Sequence, residues 1–221
     1  GEMGLYADGE ETPPAAGTAL MGTSLRRAMF SAPFLLLYSG TVLLSLGFFV
    51  PFVHLAKFSV DQGHAQSWAI LLISLIGVGS MSGRLLLGGV ADRMGRHRAM
   101  IAMFLGLALM QAWWYLSTAY WALAVYAVLF GLFYGGYVAL APALTADFFG
   151  TRNVGGILGV LYSSVGIGTL IGPVAAGRAF DWAQNYDLPI AASASASFLA
   201  LAVIMMLPAP AHWRRAHPDD I

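Results

Sequence analysis

The sequence predicts an all-α membrane protein of six transmembrane helices, and three observations support this. Apolar residues make up 58% of the 221 residues and charged residues only 10%, whereas soluble proteins average about 25% charged residues. The mean hydropathy is +0.72. The apolar residues also form six separate runs, each of the roughly 20 residues needed to cross a bilayer. We therefore expect a multi-pass membrane protein.

Each predicted helix is an apolar run bounded by charged or polar residues. The first run follows Arg26 and Arg27 and ends at Lys57, and the second ends just before Asp92. Arg98 begins the third run, and the last three are separated by the polar stretches around Asn153 and 181–188. The predicted helices are 33–57, 65–91, 98–116, 121–146, 154–176 and 189–207. They form one bundle over 33–208, between a polar linker or tail at 1–32 and a C-terminal tail at 209–221.

Composition excludes several other classes of protein. Because the chain has no cysteine, it is not a disulfide-rich secreted scaffold. Its 11 basic and 11 acidic residues give a net charge of +0, so it has no basic field for a nucleic acid. It contains no histidine pair at metal-ligand spacing and no Ser-His-Asp pattern, and its glycines lie mostly inside apolar runs. We expect neither an enzyme nor a cofactor or metal site.

The basic residues predict how the bundle is oriented in the membrane. If six helices cross, eight arginines lie on one side and only Lys57 and Arg178 on the other. Basic residues accumulate on the cytoplasmic side, so both termini are predicted to be cytoplasmic, in the cell membrane and by expectation a bacterial inner membrane. Three tryptophans near helix ends suit interface anchors: Trp68, Trp121 and Trp182. The eight arginines are Arg26, Arg27, Arg93, Arg96, Arg98, Arg152, Arg214 and Arg215.

A glycine- and arginine-rich motif follows the second helix, over 83–98. Gly88 and Gly89 would let a neighbouring helix approach, and Asp92 is placed to cap or pair with a neighbouring helix end. Gly95 allows a tight turn. The arginines of the motif suit the anionic cytoplasmic leaflet, and the alternative is that they are a topology signal alone. They are Arg93, Arg96 and Arg98.

This motif resembles the G-x-x-x-D-R-x-G-R-[RK] loop of the major facilitator superfamily, with His97 as a departure. The resemblance implies the C-terminal half of a twelve-helix carrier, with three-helix repeats inverted in the membrane and this loop acting in gating. The N-terminal six-helix half, or a second copy of the chain, would complete the carrier. The matching residues are Gly89, Asp92, Arg93, Gly95, Arg96 and Arg98.

A second stretch resembles the oxalate/formate antiporter and monocarboxylate transporter branch of that superfamily. It is Asp147-Phe148-Phe149-Gly150, with a later Gly172-Pro173 and Gly177. The branch implies secondary active transport of small organic anions by alternating access, with proton coupling or anion exchange. A carrier for another solute class and a non-transporting half-length membrane protein are the alternatives.

Arg84 is the predicted anion-binding residue. A guanidinium within a span is costly, and its planar fork suits a carboxylate. The resemblance implies that Arg84 stands where the monocarboxylate branch binds the substrate carboxylate; a structural arginine paired with an acid of the other half is the alternative. Ser80 replaces an aspartate that many relatives carry one turn earlier, and the fifth helix has no basic residue before Arg178. These departures leave the coupling open and favour a monoanion.

Three further residues are candidates for the solute site: His54, Tyr134 and Tyr162. Histidine can carry a proton near neutral pH, and the tyrosine hydroxyls can line a polar cavity. The alternatives are an interfacial histidine and tyrosines that hydrogen-bond neighbouring helices.

Small residues predict where helices pack closely. Glycines four residues apart share one helix face and allow backbones to approach; the pairs are Gly79/Gly83, Gly131/Gly135, Gly155/Gly159 and Gly168/Gly172. Pro142 and Pro173 are expected to kink their helices.

Overall fold

The computed structural model describes residues 22–216, and within that range every regular element is a helix. Six long helical segments form a bundle, with a short helix at each end of the described range. The helices are α1 (Leu25–Met29), α2 (Ala32–Phe48), α3 (Val50–Asp61), α4 (Gln66–Met94), α5 (Arg96–Tyr115), α6 (Tyr120–Phe149), α7 (Val154–Ala183), α8 (Asp187–Met205) and α9 (Pro210–Ala216). Residues 1–21 of the predicted linker at 1–32, and residues 217–221 of the predicted tail at 209–221, lie outside the described residues.

The six predicted membrane helices are confirmed as helices, with shifted ends. Five segments are long and apolar enough to cross a membrane: Ala32–Asp61, Gln66–Met94, Tyr120–Phe149, Val154–Ala183 and Asp187–Arg215. The sixth, α5, is a 20-residue helix that starts at Arg96. The largest difference is at α7, which continues through Arg178 to Ala183.

The first span is broken where the sequence did not predict it. Its helix is interrupted at Phe49, between α2 and α3, two residues before Pro51. In contrast, α6 and α7 run without interruption through Pro142 and Pro173. A proline removes one helical hydrogen bond, and whether the helix then ends depends on what the neighbouring helices offer.

An aromatic core lies between α2, α5 and α6. Trp114 of α5 and Tyr126 and Phe130 of α6 are completely buried. The rings of Tyr126 and Phe130 stack at 5.4 Å between centroids, and Trp114 lies 5.8 Å from Tyr126. Because this core holds α5 and α6 together, it supports the face on which α6 meets α4.

Glycines set two close helix crossings, as predicted for three of the four pairs. Gly79 and Gly83 of α4 lie against the backbone of α6, and Gly131 and Gly135 of α6 lie against that of α4. The pair in α7 meets the backbone of α2 at Ser45 and Leu46; it is Gly168 and Gly172.

The same expectation is wrong at two other places within residues 22–216. A side chain added at Gly155 or Gly159 would meet nothing within 4 Å, and the same holds for Gly88 and Gly89. Within the described part of the chain, these four glycines face open space, because spacing creates a smooth helix face but does not supply a neighbour.

Candidate functional site

An open cavity of about 520 Å³ lies where α3, α4 and α6 meet. Its wall is apolar except for three side chains with polar groups, Ser80, Arg84 and Tyr134. The apolar part of the lining is Phe52, Ile76, Gly77, Met81 and Leu85. This combination suits a small solute with one charged group and a short apolar body.

The crossing of α4 and α6 positions the two main polar groups. Gly83 meets the backbone of Leu132, and Gly135 meets that of Ser80. In the sequence, Arg84 comes directly after Gly83 and Tyr134 comes directly before Gly135. Direct backbone packing therefore fixes the spacing between the two helices beside both side chains.

Arg84 is exposed to this cavity. It lies ten residues before the end of α4 at Met94, roughly 15 Å along the helix axis. Within residues 22–216 the structure gives Arg84 neither an ion pair nor a hydrogen bond. The guanidinium is therefore available to an anion that enters the cavity.

Tyr134 is held by aromatic neighbours and lies within electrostatic range of Arg84. Its ring is 5.5 Å from that of Phe52 and 5.2 Å from that of Phe48. Its hydroxyl lies within electrostatic range of the Arg84 guanidinium and of the Tyr162 hydroxyl of α7. Tyr162 is 40% exposed and is outside the cavity lining. The structure thus brings Arg84 and Tyr134 to one cavity, with Tyr162 on a neighbouring helix.

Two other tyrosines make contacts between helices. The hydroxyl of Tyr38 lies 3.0 Å from that of Ser163, and the hydroxyl of Tyr137 donates to Thr41 at 3.5 Å. These tyrosines hold α2 to α7 and α6 to α2.

His54 lies away from the Arg84 cavity. Its Nε2 is 3.1 Å from the carbonyl oxygen of Pro173 in α7, and its ring is 6.4 Å from that of Tyr186. A carbonyl can only accept, so Nε2 carries a proton and Nδ1 remains available for a second one. His54 therefore links α3 to α7.

The motif at the end of α4 and the motif at the end of α6 meet at one end of the bundle. Gly95 has a φ of 89° and is the only residue between α4 and α5. Arg96 then donates to Asp147 with Nη1 2.8 Å from Oδ1, while the ring of His97 contacts the carbonyl oxygen of Leu207 at 2.9 Å. An ion pair thus joins the motif at 83–98 to the motif at 147–150. The spacing of residues within each motif could not reveal this contact.

The expected partner of Asp92 is absent from the described part of the chain. Asp92, Arg93 and Arg98 are exposed, and none of them forms an ion pair with another residue of 22–216. Among residues 22–216 no helix end is capped by or paired with Asp92, and the expectation stays a prediction. Gly89 is also open, so Gly95 and Arg96 are the members of the motif with a clear structural role here.

The opposite end of the bundle carries a smaller charged cluster. Lys57 and Asp61 form an ion pair of 2.8 Å one turn apart, and the Lys57 ammonium lies 5.6 Å from the centroid of the Phe180 ring. Burial raises the pKa of Tyr186 to about 12, with a smaller contribution from the Asp61 charge. This cluster ties the end of α3 to the connection between α7 and α8.

Sequence reasoning missed Phe52 and Met81 as cavity residues. Both are apolar residues in apolar runs, so only their neighbours distinguish them. The nearest available signal was Pro51, which could have indicated a break in the first span beside Phe52.

Comparisons with known proteins agree with this architecture. The family description of the Major Facilitator Superfamily matches residues 35–220. The chain is 31% identical over 159 residues to the MFS transporter asaE of Aspergillus flavus, covering 72% of this chain and 36% of that protein. It is 33% identical over 159 residues to monocarboxylate transporter 12 of Xenopus laevis, covering 69% and 34%.

A solved structure shows the same fold. The human organic anion transporter MFSD10 (TETRAN) superposes with a TM-score of 0.63 at 20% identity, over 84% of this chain and 48% of that one. The chain spans about a third of the length of the two sequence relatives.

Proposed function

The chain belongs to the major facilitator superfamily, and from this premise we propose that it forms the C-terminal half of a secondary carrier for small monocarboxylate anions. The N-terminal six-helix half would close the cavity between α3, α4 and α6 from the other side. A second copy of the chain is the alternative partner. The solute would bind at this interface and reach either side of the membrane as the two halves rock.

The observation that carries the proposal is Arg84. An arginine inside a membrane helix is costly unless it faces protein or water, and this one faces an open cavity without a partner among residues 22–216. A carboxylate accepts two parallel hydrogen bonds from a guanidinium, which is a strong and directional contact. Tyr134 adds a hydroxyl within electrostatic range of Arg84.

The rest of the lining favours a monoanion with a short apolar body. Arg84 is the one basic side chain among the residues that line the cavity, whose other members are mainly apolar. A second carboxylate on the solute would therefore find no further basic side chain in the part of the cavity lined by this chain. The relative named as a monocarboxylate transporter supports the same solute class.

The coupling would be proton symport or anion exchange. Moving an uncompensated anion against an inside-negative potential costs about 2.3 kcal/mol per 100 mV, so a proton or a counter-anion has to balance the charge. Ser80 has no carboxyl group, and His54 is the candidate proton carrier on this chain. The eight arginines predicted on one side of the membrane favour cytoplasmic termini, which would put the Arg96–Asp147 ion pair on that side.

Uptake of labelled lactate into proteoliposomes tests the proposal. The protein would be this chain assembled with the N-terminal half, compared with Arg84→Ala and Arg84→Lys. Arg178→Ala is the matched control, because Arg178 is an exposed arginine of α7 outside the cavity lining. Loss of a charged hydrogen bond predicts uptake reduced by about 10–100-fold in Arg84→Ala, a partial loss in Arg84→Lys and unchanged uptake in the control.

Two outcomes would contradict this reading. Full uptake by folded Arg84→Ala would remove Arg84 as the anion site. If the native assembly takes up no monocarboxylate, the solute belongs to another class or the protein does not transport.

A further inference from the structure

The break in the first span leaves one backbone carbonyl without its helical donor. Pro51 has no N–H, so the carbonyl of Gly47, four residues earlier, loses the hydrogen bond that a helix would provide. Gly47 is buried. Within a membrane span such a carbonyl needs a donor from elsewhere, because no bulk water is available.

Gln111 of α5 supplies that donor. Its side chain is completely buried, and its Nε2 donates to the Gly47 carbonyl oxygen at 2.8 Å. The Tyr126 hydroxyl donates to Oε1 of the same amide at 3.4 Å, which orients the amide with its NH₂ group toward Gly47. The backbone N–H of Phe49 also points to this carbonyl, but from only two residues away.

Close packing holds the α2 side of the break. A side chain on Gly47 would lie 2.5 Å from the Ser193 carbonyl oxygen and 2.7 Å from the Ser197 hydroxyl of α8. Gly47 is therefore pressed against α8 while its carbonyl is bound by α5. The direction in which α3 leaves this point depends on the turn at Phe49.

The α3 side of the break carries a wall of the cavity. Phe52, directly after Pro51, lines the cavity and packs against Tyr134 at 5.5 Å. Gln111 does not line the cavity.

We propose that Gln111 is a positioning residue for the solute cavity: its hydrogen bond to Gly47 fixes the α2–α3 break and thereby places Phe52 against Tyr134, beside Arg84. The claim about solute affinity rests on the proposed function. The claim about the position of Phe52 does not, and the two can be measured separately.

This chain has no cysteine, so a cysteine introduced into it is the single reactive thiol when the N-terminal half is supplied in a cysteine-free form. Phe52→Cys would be labelled with a water-soluble methanethiosulfonate in the assembled protein, with and without Gln111→Met, which keeps the side-chain length and removes the donor. Met81→Cys, on the α4 wall, is the matched control. We expect Gln111→Met to change the labelling rate at position 52 by about fivefold, the equivalent of one hydrogen bond, and to change it at position 81 by less than twofold.

A rescue experiment separates positioning from general stability. Pro51→Ala restores an N–H that can pair with the Gly47 carbonyl in a continuous helix, so Gln111→Met should cause no further change at position 52 in that background. In uptake measurements, Gln111→Met should raise KM by about fivefold with Vmax within twofold. Tyr126→Phe should act in the same direction with a smaller effect.

Unchanged labelling at position 52 in folded Gln111→Met would overturn the proposal, as would equal effects of Gln111→Met with and without Pro51→Ala. If the native assembly transports no monocarboxylate, the proposed function fails, while the labelling still decides whether Gln111 positions Phe52.

Discussion

Replacing Gly135 with alanine is expected to destabilise the protein by separating α4 from α6 beside the candidate site. The new Cβ would overlap the carbonyl oxygen of Ser80 and lie 2.7 Å from its carbonyl carbon and 2.8 Å from its Cα. All three atoms belong to backbone, so no side chain can rotate away. The two helices would have to separate by roughly 1 Å to restore ordinary contact.

The expected magnitude is the difference between two effects. Overpacking costs about 3 kcal/mol when the neighbours cannot yield, and replacing glycine by alanine within a helix returns about 1 kcal/mol. The net loss of about 2 kcal/mol corresponds to a Tm lower by roughly 4–8 °C for a protein of this size. Gly88→Ala is the matched control in α4, where a Cβ meets nothing within 4 Å; it should keep or slightly raise the Tm.

Thermal unfolding of the purified protein, followed by tryptophan fluorescence, measures both variants. Trp114 is completely buried in the core beside Tyr126, so its emission reports loss of packing. Equal Tm values for Gly135→Ala and Gly88→Ala would refute the backbone-contact argument. Uptake by Gly135→Ala should also fall, since the spacing between Arg84 and Tyr134 depends on this crossing.

Three further predictions concern the ends of the bundle and the coupling. A double-mutant cycle of Arg96→Ala and Asp147→Ala should give a coupling energy of about 0.5 kcal/mol, because both groups are partly exposed; zero coupling would contradict a stabilising ion pair. The raised pKa of Tyr186 means that folding favours the neutral phenol, so its contribution to stability is present below pH 10 and is lost as pH rises toward 12. The absorbance at 295 nm, titrated for the native protein and for Tyr186→Phe, should differ by one tyrosine that ionises late, and Asp61→Asn should move this ionisation to lower pH. Ionisation of Tyr186 near pH 10 would contradict the prediction. If His54 carries the coupled proton, His54→Gln, which can still donate to the Pro173 carbonyl, should abolish proton-driven uptake and keep solute exchange; unchanged proton-driven uptake would exclude His54.

Much of the fold could be read from local patterns. Each of the predicted helices 65–91 and 121–146 agrees with the helix found, Gln66–Met94 and Tyr120–Phe149, to within a few residues. This succeeds because an apolar run of sufficient length satisfies its backbone only as a helix when it crosses a membrane. The turn at Gly95 was also predictable, because glycine is the residue that most readily adopts the positive φ of a tight turn. The structure gives Gly95 a φ of 89°.

The candidate site was less accessible to the sequence. Arg84 stands out because a charge in an apolar run is rare, whereas Phe52 and Gln111 do not reveal whether they face lipid, core or cavity. The prolines show the same limit: Pro51 follows a break at Phe49, but α7 continues through Pro173. Gln111 acts from another helix, 64 residues away from Gly47 in the chain.

Hydropathy, run length and charge were enough to establish the membrane class, the succession of helices and the unusual arginine, since each depends on a segment and the solvent around it. Packing alone distinguished glycine pairs of identical spacing: Gly131 and Gly135 touch α4, while Gly155 and Gly159 face open space within residues 22–216. Packing also joined Arg96 to Asp147 and placed Tyr134 beside Arg84. A helix face is a local property, but the neighbour it meets depends on how the whole bundle excludes empty space.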